Sequence, residues 1–421
     1  MLSEVKYKTY IEILKEELVP AMGCTEPISI AYAAATAKKA LGCMPTKAII
    51  GVSGNIIKNV KSVTVPHTGG MRGIKSAFIA GLVAGNPDSE LQVLANVSED
   101  QIKCMHELVD NIDIEIECPE DSRIFDVRIL LFAGENTSYV RIVDKHTNIV
   151  LIKKDEDVLF SKEIMAINKK ADRSLLSVED IVEFANRVNV DDVKETLDRQ
   201  IEYNMAIATE GIEKPYGANV GKTILKSFPD NVKIKAKAYA AAGSDARMNG
   251  CEKPVIINSG SGNQGMTTSI PVIVYAREYN KSKEELYRAL CVSNLITIHL
   301  KTGIGTLSAY CGVVSAGAGA GCGIAYLMGG DFDVIAHTLV NALAIDSGII
   351  CDGAKASCAA KIATAVEAGL LGLDMYYNGN QFYAGDGIVK HGVENTIKSV
   401  SRLASKGMFE TDREIIKIMI E

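Results

Sequence analysis

The chain has no tryptophan, and aromatic residues amount to only 6% of its 421 positions. A core must therefore be filled mainly by aliphatic and small side chains. The 36 glycines point to close backbone packing and many special turns. Blocks of basic residues are also missing, and the formal net charge is −7. That balance gives no reason to expect nucleic acid or an anionic membrane as partner. The start of the chain, Met1 to Leu18, alternates charged and apolar residues without a long apolar run. No secretory signal is expected there, and a cytoplasmic location is. In that compartment the ten cysteines are read as thiols or metal ligands, not as a disulfide framework.

What is present fits a soluble globular protein of about two domains, with 47% hydrophobic and 23% charged residues. One stretch, Thr302–Gly330, carries no charge and is long enough to span a bilayer. Its nine glycines and its lack of Leu, Ile and Phe density favour a buried, closely packed helix in a soluble protein.

The pattern predicts an α+β fold. Residues 4–19 read as an amphipathic helix ending before Pro20, and a second helix is expected from Pro27 to Ala40. Alternating β-branched and polar residues predict strands over Lys47–Ser53, Val60–Val65, Ile112–Cys118, Asp126–Phe132, Thr137–Asp144 and Asn148–Lys153. A helix is expected over Ile74–Gly85 between them, and an antiparallel sheet overall. Beyond about residue 160 strand signals fade. Charged helices are expected over Ser177–Gly211, then Ala- and Gly-rich ones over 234–248, 265–279, 283–300, 306–328, 332–348 and 355–370. The expected organisation is an α+β domain over 1–170 and a mainly α-helical domain over 171–421, joined near Asn168–Arg173.

Two glycine motifs resemble nucleotide signatures. Tyr216–Thr223 (YGANVGKT) is one residue short of a P-loop and follows no buried strand. Gly260–Gly265 (GSGNQG) matches a dinucleotide fingerprint, but no acidic strand end follows at the required distance. This loop opens a helix, where free backbone N–H groups bind anions, and Asn263 and Gln264 add side-chain donors. The alternatives are a substrate carboxylate held there or a tight turn with no ligand.

Cys43, Cys104, Cys118, Cys251, Cys291 and Cys322 share no spacing and are read as small hydrophobes in or near the core. Cys311, Cys351 and Cys358 could converge on a metal centre if Gly353 breaks the chain between the last two. Three thiolates suit a four-iron cluster with one open iron, and equally a zinc ion with an open position. Cys24, in Gly-Cys-Thr-Glu-Pro before a helix, has a setting that favours a thiolate able to take a proton or attack carbon; the alternative is a buried thiol near the helix cap.

Six separated motifs resemble the L-cysteine desulfidases, relatives of the iron–sulfur L-serine dehydratases. They are VPAMGCTEP (19–27), VPHTGGMRG (65–73), NSGSGNQGMTTSIPV (258–272), LSAYCGVVSAGAGAG (307–321), CDGAKASCAAK (351–361) and GDGIV (385–389). The resemblance spans essentially the whole chain. It implies a [4Fe–4S] cluster held by Cys311, Cys351 and Cys358 in the helical domain, and a functional Cys24. The serine dehydratases carry a Ser-Ser-His-Thr type sequence at the early turn, so Gly-Cys-Thr-Glu favours the desulfidase. The implied activity is pyridoxal-phosphate-independent β-elimination of sulfide from L-cysteine to give pyruvate and ammonia. Cys24 would remove the α-proton; the helix-start donors around Asn263, Gln264 and Gly265 would hold the substrate carboxylate, with His67, Thr68 and Arg72 completing the pocket. His67 reads equally as a turn histidine and Arg72 as a surface ion-pair partner, while His299 and His337 read as packing residues. The expected partner is the small molecule L-cysteine, with a homodimer as candidate assembly. Rival readings are an iron–sulfur L-serine dehydratase and a non-catalytic metal- or redox-sensing protein.

Overall fold

The computed structural model describes residues 2–22, 25–123, 125–164, 171–305 and 308–420. In chain order the first elements are α1 (Glu4–Glu17), β1 (Pro20–Met22), α2 (Thr25–Leu41), β2 (Lys47–Val52), α3 (Gly54–Val60), α4 (Gly73–Ala84) and α5 (Glu99–Leu108). Strands β3 (Asp113–Glu117), β4 (Asp126–Ala133), β5 (Asn136–Val143), β6 (Ile149–Lys154) and β7 (Asp157–Ser161) follow. After them come α6 (Val178–Arg187), α7 (Lys194–Glu213), α8 (Val220–Ser227), α9 (Val232–Met248), β8 (Pro254–Ile256), α10 (Gly262–Glu278), α11 (Lys283–Ile304), α12 (Gly312–Leu327), α13 (Phe332–Asp346), α14 (Cys358–Tyr377), α15 (Val393–Arg402) and α16 (Phe409–Ile420). This is the expected α+β class. No helix among the described residues is long and apolar enough to cross a membrane.

The chain divides into two compact units. The first comprises residues 1–23, 168–351 and 356–412 and is almost entirely helical; the second comprises 24–167, 352–355 and 413–421 and contains the large sheet. Neither is continuous in sequence, unlike the single cut at 170 read from composition. The first helix belongs with the helical unit because Tyr10 is buried against Phe184, ring centroids 5.5 Å apart, and its hydroxyl donates to Leu175 O.

The large sheet runs β3-β2-β4-β5-β6-β7. Four of its five strand pairings are antiparallel, as expected, whereas the fifth makes the sheet mixed: β3 pairs parallel with β2, Lys47 opposite Asp113. A parallel neighbour needs a long crossover, and α3, α4 and α5 supply it. The predicted strand at Val60–Val65 is instead the end of α3 and a turn, with only Thr64 bridging Arg72. Strand β7 was not foreseen; all five of its residues are exposed, so its apolar residues carry no inward face.

Asp126 lies at the start of β4, fully buried. Its Oδ1 accepts from Arg128 Nε at 3.2 Å and Arg141 Nε at 3.1 Å, and its Oδ2 accepts from Arg141 Nη2 at 2.7 Å. Burial alone would raise this carboxyl, but the guanidinium hydrogen bonds outweigh it and hold the group below the ordinary carboxylate range.

Glycine builds the helical unit. On α12, a Cβ at Gly317 would meet Ala365 O at 2.3 Å and one at Gly321 would meet Gly369 O at 2.7 Å, both on α14. On another face, Cβ atoms at Gly319 and Gly323 would meet Thr297 Oγ1 at 2.3 Å and Ser293 Cβ at 2.7 Å on α11. The uncharged Gly-rich run is thus a helix packed closely on two sides, as expected; its observed start at Gly312 is later than predicted, and Thr306 and Leu307 lie outside the described residues.

Asp126→Asn keeps the shape and removes the charge. It should destabilise the protein by about 2–3 kcal/mol at neutral pH, read by urea unfolding. Because the folded carboxyl is depressed, its stabilisation is complete above the unfolded value of about 3.9 and disappears as pH falls through the folded one. The difference between native protein and variant should therefore shrink in acid.

Candidate active site

The site is assembled from helix starts. Gly317 faces Ala365 and Gly321 faces Gly369, so α12 and α14 advance in the same direction, with their N-termini at one end. Cys311 is the N-cap of α12 and Cys358 is the first residue of α14. Counting back along both helices from the glycine contact brings these residues to the same level. Backbone N–H groups at such helix starts favour negative charge, as thiolates would place there.

Cys351 arrives by a different route. Tyr310 and Ile350 form an antiparallel bridge, with Cys311 N donating to Ile349 O at 3.0 Å and Cys351 N donating to Ala309 O at 2.6 Å. Cys311 and Cys351 thus flank one bridge and project to the same face as diagonal neighbours, a separation their side chains can span. They do meet: a hydrogen bond with the Cys351 thiol, and after it burial, pushes the Cys311 thiol well above its ordinary range. Cys358 adds to the same field. Lys361 Nζ, one turn into α14, donates to Ile350 O at 2.8 Å and ties that helix to the bridge.

Between Cys351 and Cys358 the chain breaks, as the sequence suggested. Gly353 has a φ of +94°, and a Cβ there would stand 2.3 Å from Lys58 O. Both the left-handed backbone and the close approach require glycine. Residues 352–355 belong to the sheet-containing unit, where Ala354 N donates to Lys58 O at 2.7 Å.

The GSGNQG loop lies beside this group. A Cβ at Gly312 would stand 2.5 Å from Gln264 Cδ, so the Gln264 amide is packed on the residue after Cys311. Asn204 on α7 fixes the loop by accepting from Ile256 N at 2.8 Å and donating to Gly265 O at 3.2 Å. Gly265 has no room for a side chain, with Ile256 O 2.0 Å from the position of a Cβ. Asn263 and Gln264 are buried, and their carbonyl oxygens have no hydrogen-bond partner. Arg247 of α9, which the sequence reading did not single out, lies against Gly262. No local signal marks it, because only the packing of α9 on α10 brings it there.

The remaining expected site residues are placed differently. Gly23 and Cys24 lie outside the described residues, between β1 and α2. His67, Thr68 and Arg72 share one turn of the sheet-containing unit. His67 is exposed with φ +58°, Thr68 is buried with Oγ1 donating to Val65 O at 2.8 Å, and Arg72 is the exposed N-cap of α4. His337 of α13 stacks on Tyr376 of α14, and His299 of α11 lies 2.9 Å from the Glu394 carboxylate of α15, so both serve packing and pairing between helices. Among the other cysteines, Cys251, Cys291 and Cys322 are buried, whereas Cys43 and Cys104 are exposed, in the turn after α2 and on the outer face of α5.

The P-loop-like segment is filled by the protein itself. Asp245 Oδ2 accepts from Gly221 N at 2.9 Å at the start of α8, and burial lifts this carboxyl to about 6. A cavity of about 410 Å³ lined by His337, Phe382, Lys390 and His391 contains none of the expected site residues. Asp346, at the end of α13, is a titratable group the sequence did not flag; burial raises it to about 6, and its charge acts on Tyr310.

Among the described residues, no three or more His, Cys, Asp or Glu side chains are gathered as a single metal ion would need. Residues 88–417 match the family model described as serine dehydratase alpha chain. The chain is 58% identical over 416 residues to a UPF0597 protein of Desulfitobacterium hafniense, covering 98% of this chain and 97% of that one. It is 50% identical over 415 residues to a UPF0597 protein of Lachnoclostridium phytofermentans, with 98% and 100% covered. Against one from Treponema denticola it is 46% identical over 428 residues, with 100% and 99% covered.

Gly369→Ala tests the helix contact that aligns the thiols. A methyl group there would stand 2.4 Å from Gly317 O. The variant should lose about 1–3 kcal/mol in thermal or urea unfolding, and anaerobically purified protein should carry less iron per chain than the native enzyme.

Proposed function

The chain belongs to the serine dehydratase alpha-chain family, a family of iron–sulfur lyases, and on that premise we propose that it β-eliminates sulfide from L-cysteine to give pyruvate and ammonia. The observation that carries this reading is the meeting of Cys311 and Cys351, with Cys358 in the same electrostatic field, at two aligned helix starts.

These residues fit a [4Fe–4S] cluster. Thiols crowded this way resist ionising together, so three thiolates are tolerated only around strong positive charge. A cluster attaches each thiolate to a different iron, so the three sulfurs need not converge on one point. Cys311, Cys351 and Cys358 would hold it. When bound, it supplies a Lewis-acidic iron that draws electron density from the substrate sulfur.

The chain's own residues supply the rest. Cys24, as thiolate, takes the α-proton. The electron pair left on Cα forms the Cα–Cβ double bond as the Cβ–S bond breaks and sulfide departs. The resulting aminoacrylate tautomerises to an imine, and water then releases ammonia and leaves pyruvate. Burial of Asn263 and Gln264 keeps bulk water from the reacting head group. The family description favours one second reading, dehydration of L-serine by the same elimination with hydroxide leaving. The Gly23-Cys24-Thr25-Glu26 sequence, in place of the Ser-Ser-His-Thr type of the serine dehydratases, supports cysteine as substrate.

Anaerobically purified protein should be brown and release sulfide and pyruvate from L-cysteine faster than it releases pyruvate from L-serine. The reverse preference would make it a serine dehydratase, and colourless protein after anaerobic reconstitution with iron and sulfide would refute the cluster. Cys24→Ser should keep the cluster absorbance and lose turnover by about 10²-fold or more. Cys311→Ala should lose the absorbance itself.

A further inference from the structure

The start of α10 is a positive helix end that meets a second positive charge. The backbone N–H groups of Gly262, Asn263 and Gln264 have no acceptor among the described residues. Ser261 provides no side-chain cap, and the first turn contains no acid. Arg247 lies directly on this end: a Cβ at Gly262 would be 2.5 Å from its Nε and 2.8 Å from its Cζ. Its Nε is buried without a partner, and the side chain makes no hydrogen bond or ion pair within the described protein. A guanidinium against a helix N-terminus is repelled unless an anion is shared between them.

Two further groups stand on the same first turn of α10 with the opposite demand. Asn263 is 6% and Gln264 7% exposed, and their unpartnered atoms, Oδ1 and Oε1, are acceptors. Asn263 Nδ2 is turned toward Met248 Sδ at 3.7 Å. Carbonyl oxygens cannot bind a carboxylate, but they do accept from an ammonium group. The site therefore offers donors and a cation for one end of a ligand and buried acceptors for the other.

We propose that this is the recognition site for the zwitterionic head of an α-amino acid. Arg247 and the N–H groups of residues 262–264 hold the carboxylate, while Asn263 Oδ1 and Gln264 Oε1 receive the ammonium group. Gln264 packs on Gly312, so the head group is set beside Cys311. The assignment rests on the proposed lyase reading for its substrate class. It differs in the role given to the two amides, which bind the amine and not the acid, and in adding Arg247.

L-Alanine is the probe, because it has both charged ends and no β-leaving group; propionate carries the carboxylate alone. With anaerobically purified holoprotein, L-alanine should raise the melting temperature and compete with the substrate. Arg247→Gln should weaken L-alanine and propionate about thirtyfold or more, with Arg247→Lys recovering part of the loss. KM for L-cysteine should rise by more than kcat falls, with cluster absorbance unchanged. Asn263→Asp and Gln264→Glu keep the acceptor and add negative charge, so they should bind L-alanine at least as well as the native protein. L-Alanine binding unaffected by Arg247→Gln, or weakened in both acidic variants by repulsion of the carboxylate, would overturn the assignment. An enzyme that uses L-serine and not L-cysteine would refute the substrate reading alone, since L-alanine reports only on the head group.

Discussion

The close contact of α12 with α14 is the constraint on which the candidate site depends. Backbone touches backbone at Gly317, Gly321 and Gly369, where even a methyl group would overlap a carbonyl oxygen. Glycine in a helix interior costs about 1 kcal/mol relative to alanine, so this many glycines in one helix is a local penalty that tertiary packing must offset. What the packing secures is a fixed register between two parallel helices, and through it a common level for Cys311 and Cys358. The second glycine face, toward α11, prevents α12 from tilting away. Side-chain interdigitation would leave rotamer freedom in that register; direct backbone contact leaves very little.

A single bridge, Tyr310 with Ile350, brings in the third thiol. The two ways of positioning are complementary. Helix packing sets distance and level, and the bridge sets which face the sulfurs share. The loop between Cys351 and Cys358 needs a left-handed glycine at 353 for the same reason: the chain must turn sharply without carrying a side chain into Lys58. Beside this frame, the Asn204 hydrogen bonds hold the start of α10 against β8, so that a loop of small residues presents a rigid set of donors and acceptors.

The legibility of these features in the sequence was uneven. Helices α9 to α14 were visible because Ala- and Gly-rich segments with helical spacing are separated by turn residues, and most strands were visible through β-branched alternation. The parallel edge pair of β2 and β3 was not, since alternation reports a half-exposed strand and not the direction of its neighbour. Val60–Val65 misled because Lys61 and Thr64 mimic alternation in what is a helix end and a turn. The thiol set could be named through resemblance to a family, but spacings of 40 and seven residues specify no geometry. Asp245 shows the converse: a glycine-rich motif that resembles a phosphate loop is satisfied by a buried carboxylate contributed from another helix.

By itself the sequence determined the α+β class and the helical nature of the later part of the chain, because periodicity and glycine content are local properties. Tertiary structure alone decided that Cys311 meets Cys351 beside Cys358, that the first helix joins the later helices, and that Arg247 faces the start of α10. Each of these depends on which helix surfaces have room for one another, a matter of close packing between segments distant in the chain that no local pattern encodes.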